Sequence, residues 1–175
     1  AFAIRNHHRS ALASVKAAHE MRTELLTYQR DFYANATELA ADDPVKAYVF
    51  GSDKDPAKAF HLAEIVKRHK IDIYHLTEPI QIGEATFNPE ASYIVPLNQL
   101  QYRLVHALFE IRNTFEDSLF YDVSAWTLPL AFNLEYEALD RREYNTAMLG
   151  TEFDLDSFPR GQLIGGRSDY AYAFE

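Results

Sequence analysis

The sequence contains no cysteine. That absence excludes disulfides, thiolate metal ligands and every mechanism that uses a cysteine nucleophile. The sequence also lacks any run of about 18 apolar residues, the length that a membrane-spanning helix needs, so we predict no membrane span. The motif GxGxxG, the motif GxxxxGK followed by Ser or Thr, and the motif GxSxG are all missing. A dinucleotide site, a P-loop and a serine-hydrolase elbow therefore have no support in the sequence.

Positive charge is in short supply. Lys and Arg number 17 against 26 Asp and Glu, which gives a formal net charge of -9 at pH 7, and the cations are scattered along the chain. Nucleic-acid binding depends on clustered cations that displace counterions from phosphates. We therefore predict that nucleic acid is not a partner. The 175 residues and the 47% hydrophobic content are typical of one globular domain with a sizeable core.

The N-terminal part of the chain is predicted to form one long helix. From Ser10 to Leu39, apolar side chains recur at steps of mostly three or four, which places them on one helical face. Asp42-Asp43-Pro44 ends this pattern because proline disfavours helical geometry in the residue before it. We divide the chain into a linker helix, residues 1–43, that packs on an α/β domain of residues 44–175. The helix either connects two domains or is the first helix of one domain.

After residue 43, strand and helix patterns alternate. The runs Lys46–Phe50, Ile71–Leu76 and Ser92–Val95 predict strands. A helix is expected to begin at Asp55-Pro56, because Asp is a favourable N-cap and Pro suits the first helical position. Strands that alternate with helices of this length are typical of βαβ units, so we predict an α/β fold with a mostly parallel sheet. Residues 141–160 are polar and poorly periodic and are predicted to be mostly loop.

Two loops after predicted strands are candidate ligand-binding segments. In open parallel sheets, ligands bind outside the carboxyl ends of the strands. Those ends carry Gly51, Ser52 and Asp53 after the first strand, and Asn98 and Gln99 after the third. Both segments precede predicted helices, whose N-terminal N–H groups favour anions. Ordinary turn and cap chemistry explains the same residues equally well.

The pair His61 and Glu64 has the HxxE spacing of a zinc-binding motif. The pair lies within a predicted amphipathic helix, and one His with one Glu falls short of the three protein ligands that are usual at a catalytic zinc. We therefore interpret the pair as part of a solvated helix surface. We predict no catalytic residue and no metal ligand in this chain.

The segment from Tyr93 to Leu134, YIVPLNQLQYRLVHALFEIRNTFEDSLFYDVSAWTLPLAFNL, carries the most specific sequence resemblance. It resembles the non-catalytic α/β domain that follows the peptidase domain in certain large bacterial zinc carboxypeptidases, relatives of carboxypeptidase A. The resemblance extends to Phe2–Asn6 with the long helix and to residues 161–172, and so covers most of the chain. The sequence begins without methionine and stops after an apolar run, so we expect a piece of a longer protein.

The resemblance implies a flavodoxin-like three-layer sandwich, similar in fold to class I glutamine amidotransferases. The amidotransferase mechanism needs a cysteine, so that likeness implies no activity. The zinc, its ligands and the catalytic residues of the parent enzyme would belong to the preceding peptidase domain of the same chain. That domain is the partner we expect, and no cofactor is expected in this chain. The parent would be a zinc metallocarboxypeptidase that is secreted or periplasmic.

The sequence leaves two functions open. The first is a non-catalytic accessory domain that supports the peptidase domain or access of its substrate. The second is an independent module that binds a small ligand or a peptide at the strand ends. Tyr121, Asp122 and Trp126 are candidate contacts to a neighbouring domain, although Asp122 could simply cap a helix and Trp126 could fill the core.

Overall fold

A computed structural model describes residues 2–111 and 127–160 of the chain. Within these ranges the helices are α1 (Phe2–Glu20), α2 (Arg22–Ala34), α3 (Ala36–Asp42), α4 (Pro56–Arg68), α5 (Tyr102–Phe109) and α6 (Leu128–Ala131). The strands are β1 (Val45–Gly51), β2 (Tyr74–Leu76), β3 (Ile80–Ile82), β4 (Ala85–Phe87), β5 (Ser92–Pro96), β6 (Glu135–Asp140) and β7 (Leu149–Glu152), and a short 3-10 helix, Thr146–Met148, precedes β7.

The main sheet has five strands in the order β6-β1-β5-β2-β7, and every ladder in it is antiparallel. The strands β3 and β4 form a separate antiparallel hairpin. The prediction of a mostly parallel, flavodoxin-like three-layer sandwich is therefore wrong. The fold has mixed α/β content with an antiparallel sheet.

The reason for the error lies in the position of β5. Because β1 and β2 are both antiparallel to β5, they run in the same direction, as a βαβ connection through α4 predicts. The strand β5, however, lies between them and hydrogen-bonds to both. The alternation of strands and helices thus indicated the relative direction of β1 and β2 correctly, but it did not indicate which strands are neighbours.

The two faces of the sheet are covered differently. Alternate residues of a strand point to opposite faces. In β1, Tyr48 and Phe50 belong to the larger core, which includes side chains from α3, α4, α5 and α6. Ala47 and Val49 belong to a smaller core on the other face, closed by the β3–β4 hairpin. Among the described residues, helices therefore cover one face only, in contrast to the two helical layers of a three-layer sandwich.

Local signals placed α4 correctly. The Asp55 carboxylate accepts a hydrogen bond from the Lys58 N–H at 3.1 Å, and Pro56 occupies the start of the helix. Ala59, Phe60, Leu62, Ala63 and Val66 are buried against the sheet. The helix ends with Lys67 and Arg68, which interact favourably with the negative end of the helix dipole. A capped amphipathic helix needs no long-range information to be recognised.

The helices α1 and α2 form an arm, residues 2–34, that carries no buried side chain. Helical hydrogen bonding continues through the joints, since the Leu25 N–H donates to Met21 at 2.9 Å and the Leu39 N–H donates to Asn35 at 3.1 Å. Burial begins in α3, at Ala36 and Ala40. The residues predicted to form one helix, Ser10–Leu39, are helical but are divided among α1, α2 and α3. The helix α3 packs against α5 and β1.

Candidate functional site

The richest polar cluster among the described residues centres on Asp43, which directly follows α3. Only 7% of its side chain is exposed. Its carboxylate accepts hydrogen bonds from the Val45 N–H at 2.8 Å, the Tyr102 hydroxyl at 2.7 Å and the His106 Nε2 at 2.6 Å. Tyr102 and His106 are four residues apart on α5, so they share one helical face. Asp43 therefore connects α3, the start of β1 and α5.

The cluster perturbs the protonation of its members. Burial alone would raise the pKa of Asp43, but the hydrogen bonds from Tyr102, His106 and the Val45 N–H outweigh it, so the pKa lies below its ordinary value. Burial and the hydrogen bond to Asp43 together raise the pKa of Tyr102 to about 12. Asp43 is therefore a carboxylate and Tyr102 a neutral donor at neutral pH. Because a carboxylate only accepts, Nε2 is the protonated nitrogen of His106.

A cavity of about 550 Å³ opens beside this cluster, between the start of β1, the end of α5 and β6. Its described lining residues are Asp43, Pro44, Val45, Tyr48, His106, Phe109, Glu110, Ile111, Tyr136, Glu137 and Ala138. This lining contains no serine, threonine or lysine. An Asp–His pair can orient an imidazole as a general base, and the described lining residues include no Ser, Thr or Lys for such a base to activate. The arrangement is suited to binding a ligand.

The candidate residues after β1 have structural partners. The Ser52 hydroxyl accepts a hydrogen bond from the Asp55 N–H at 3.2 Å, and the Asp53 carboxylate accepts one from the Asn88 side chain at 2.5 Å. Gly51 lies where β1 pairs with Ser92 of β5. A Cβ atom at Gly51 would lie 2.1 Å from the Ser92 Oγ and 2.7 Å from the Ala91 carbonyl oxygen. Glycine is needed here for close approach of two strands.

We predict that Gly51→Ala lowers the free energy of unfolding by about 2–3 kcal/mol, because the new methyl group collides with backbone as well as side-chain atoms. Urea denaturation of the variant and the parent chain measures this loss. Gly83→Ala is a suitable comparison, because Gly83 has open space around its Cβ position and is strained only by its φ of +59°. If Gly51→Ala left the free energy of unfolding unchanged, that result would contradict the close contact between β1 and β5.

The structure does not bring the two candidate ligand-binding segments together. In the β1–β5 ladder, Gly51 pairs with Ser92 and Ala47 pairs with Pro96. Because the strands are antiparallel, Gly51–Asp53 lies beside the start of β5, whereas Asn98 and Gln99 follow its opposite end. Gln99 is 6% exposed, and its side chain hydrogen-bonds to both main-chain groups of Asp72 and to the Pro96 carbonyl. Gln99 therefore stabilises a loop.

The remaining candidates from the sequence are the pair His61 and Glu64, and the group Tyr121, Asp122 and Trp126. His61 and Glu64 lie on the exposed side of α4, with His61 Nδ1 3.4 Å from Glu64 Oε2, and Glu64 also accepts from Arg68. In the part of the chain that the structure describes, no three His, Asp or Glu side chains are grouped closely enough to hold a metal ion. Tyr121, Asp122 and Trp126 lie outside the described residues.

Sequence reasoning missed the cluster of Asp43, Tyr102 and His106. It interpreted Asp43 only as part of a helix-ending signal. The spacing of Tyr102 and His106 does predict a shared helical face, but nothing local indicates that the end of α3 meets that face. The contact spans about sixty positions along the sequence and depends on how the elements assemble.

Comparisons with known proteins identify no relative. The chain matches no protein-family model, no curated protein and no solved structure. Among the described residues, no helix combines the length and the apolar character that crossing a membrane requires.

Proposed function

We propose that this chain is a non-catalytic accessory domain that docks onto another protein body through the apolar side chains of its helical arm. As the resemblance of residues 93–134 implies, the partner would be the peptidase domain of a zinc carboxypeptidase-like protein, preceding this domain in the same chain. The observation that carries the proposal is the exposure of the arm. Eight large apolar side chains on it are between 47 and 75% exposed: Phe2, Ile4, Leu12, Val15, Met21, Leu25, Leu26 and Tyr28.

The length of the arm argues for a partner. Its 33 residues would extend about 50 Å at 1.5 Å per residue. Helical stability in proteins comes mostly from packing of an apolar face, and little of it from propensity alone. An arm with no buried side chain lacks that contribution. Burying these side chains against a second protein surface would supply it.

The base of the arm is held firmly to the sheet domain. Arg103 of α5 donates hydrogen bonds to the Phe32 carbonyl at 2.5 Å and to the Asn35 side chain at 2.9 Å. Its guanidinium also lies 4.4 Å from the centre of the Phe32 ring, a cation–π contact. The end of α2 is thus fixed while the rest of the arm extends away. This geometry suits a domain that projects a binding helix toward a neighbour.

The charge of the arm differs from that of the whole chain. Residues 2–19 contain Arg5, Arg9 and Lys16 and no acidic residue, whereas the whole chain has a net charge of -9. The preferred partner surface would therefore be an apolar patch with acidic residues around it. The arm would steer association toward such a surface.

We predict that hydrogen exchange in residues 2–34 is fast in this chain alone and at least about 100-fold slower in the full-length gene product, where the arm is buried. The double substitution Val15→Asp with Leu25→Asp should restore fast exchange in the full-length protein. Leu100→Asp with Leu130→Asp is the matched control, because these leucines are 61% and 58% exposed but lie outside the arm.

Three outcomes test whether the arm docks and onto which partner. Equal exchange in the chain and in the full-length protein would contradict docking. Protection that rises with the concentration of the isolated chain would identify a second copy as the partner, in conflict with the proposal. Zinc-dependent release of C-terminal residues by the full-length protein, absent from this chain alone, is expected if the parent is a carboxypeptidase.

A further inference from the structure

We infer that the arm docks onto a single α-helix of the preceding domain, which carries an apolar stripe and an acidic edge and packs along α1 and α2 as in a coiled coil. The inference depends on the docking proposed above and names the surface that receives the arm. Three features of the arm support it: the spacing of its apolar residues, a groove on α2 and the position of its cations.

The apolar residues of the arm repeat every seven positions. Five successive positions of this repeat carry Ile4, Ala11, Ala18, Leu25 and Phe32. Further apolar side chains lie three or four residues from these positions: Val15, Met21 and Tyr28. A seven-residue repeat differs from the 3.6-residue period of a straight helix, and it keeps apolar side chains facing a second helix that winds around the first. The repeat spans the arm, so one partner helix can contact its whole length.

The joint between α1 and α2 does not interrupt this repeat. The Met21 N–H donates to the Ala17 carbonyl at 2.8 Å, and the Leu25 N–H donates to the Met21 carbonyl at 2.9 Å. Both bonds have the spacing of four residues that an α-helix requires. Positions seven residues apart therefore stay on one side of the arm across the joint.

A groove on α2 suits the side chains of a second helix. It has a volume of about 370 Å³ and is lined by Leu25, Leu26, Tyr28, Gln29, Phe32 and Tyr33. The ring centroids of Tyr28 and Phe32 lie 6.2 Å apart, and those of Phe32 and Tyr33 lie 5.3 Å apart. Packed helices insert side-chain ridges into grooves of this kind. Leu26 and Tyr28 are 64% and 69% exposed, so the described residues leave the groove open.

The cations of α1 lie along one edge of the arm. Arg5, Arg9 and Lys16 are separated by four and seven residues, so they share one side of the helix, beside the apolar stripe. Lys16 lies 3.7 Å from Glu20, whereas no acidic side chain among the described residues forms an ion pair with Arg5 or Arg9. Charged side chains that flank the apolar seam of a coiled coil select the partner. A partner helix with Asp or Glu along the facing edge is therefore favoured.

Two synthetic helical peptides of about four heptads each test this chemistry on the chain alone. Both carry leucine at the apolar positions of the repeat, and the flanking positions carry glutamate in one peptide and lysine in the other. We expect the glutamate peptide to bind with a dissociation constant of about 10 µM and the lysine peptide at least about ten-fold more weakly. Fluorescence anisotropy of the labelled peptides measures both constants. Equal affinities, or no binding of the glutamate peptide, would overturn the proposal.

The net charge of the chain makes this comparison stringent. Because the whole chain carries a formal charge of -9, non-specific attraction would favour the lysine peptide. A preference for the glutamate peptide therefore reports on the arm. The double substitution Arg5→Glu with Arg9→Glu should abolish that preference, whereas Arg141→Glu with Arg142→Glu, at exposed positions outside the arm, should keep it. Equal effects of the two double substitutions would contradict the role of the arm's cations.

Single cysteines then locate the contact in the full-length protein. Ala11→Cys and Ala13→Cys form a matched pair, because both alanines are exposed on α1 and their side chains point to opposite sides of the helix. Leu25→Cys and Thr27→Cys form a second pair on α2. Thiol alkylation, followed peptide by peptide with mass spectrometry, should be at least about ten-fold slower at positions 11 and 25 in the full-length protein than in this chain, and unchanged at positions 13 and 27.

The labelling pattern separates the partner helix from docking itself. Slow labelling on both sides of the arm would overturn the single partner helix and leave docking intact. Unchanged labelling at all four positions, together with fast hydrogen exchange, would contradict docking as well. Slowing that appears in the isolated chain and rises with its concentration would identify a second copy as the partner, which also overturns the proposal.

Discussion

Replacing Asp43 by alanine is expected to lower the free energy of unfolding by about 3 kcal/mol. The substitution leaves the Val45 N–H, the Tyr102 hydroxyl and the His106 N–H without their common acceptor. Chemical denaturation with urea measures the loss. Asp42→Ala is the control, because Asp42 is exposed, and its effect should stay within about 0.5 kcal/mol. Equal effects of the two substitutions would show that the cluster contributes little.

The pH dependence of stability, compared between the parent chain and the Asp43→Ala variant, gives a second measure of what the Asp43 carboxylate contributes. The pKa of Asp43 in the folded protein is below its ordinary value of 3.8, so the ionised form favours folding. Its stabilising contribution is complete above pH 3.8 and is lost as the pH falls through the lower folded pKa. The Asp43→Ala variant should therefore lose less stability than the parent chain on acidification below pH 3.8. An identical acid dependence would contradict the assignment.

Replacing Phe153 by alanine is expected to destabilise the fold by about 3–4 kcal/mol, the usual cost of removing a buried phenylalanine side chain. Phe153 follows β7 and is 2% exposed. Its ring packs against Phe60 of α4 at 5.1 Å and against Tyr93 of β5 at 5.2 Å between centroids. Its N–H also donates to the Ile73 carbonyl at 2.9 Å. Phe153 therefore joins the last described strand to the helical core.

Phe158→Ala provides a control of the same residue type. Phe158 is 51% exposed, although its ring centroid lies 5.0 Å from that of Phe60. Phe158→Ala should lower the free energy of unfolding by about 1 kcal/mol or less, because about half of the side chain already contacts water. Thermal unfolding followed by circular dichroism distinguishes the two variants. If Phe153→Ala cost no more than Phe158→Ala, the segment after β7 would lie outside the core.

The sequence indicated local structure well and the assembly of the sheet poorly. The Asp55-Pro56 start of α4 was predicted because its signals lie within a few residues. The position of β5 between β1 and β2 leaves no such signal, since strand order depends on contacts between distant segments. The same reason explains why Gly51 and Asn98 were expected at one edge and lie at opposite ends of the sheet.

Residues 141–160 were predicted to be mostly loop, and most of them do lie outside helices and strands. The polar composition did not indicate β7, an edge strand of the described sheet, or the buried Phe153. An edge strand of four residues, with one neighbour and much exposure, needs little apolar sequence. Its position is determined by pairing with β2 and by one aromatic side chain. Periodicity over so short a segment carries too little information to reveal it.

The strand order of the main sheet has a consequence for how the protein reaches its folded state. Each ladder that the structure describes in this sheet joins strands that are not consecutive in the chain: β6 with β1, β1 with β5, β5 with β2, and β2 with β7. Long stretches of chain must be brought together before any of these ladders can form, which slows folding. During synthesis, β1 and β2 would emerge from the ribosome before β5, and neither pairs with an earlier strand among the described residues.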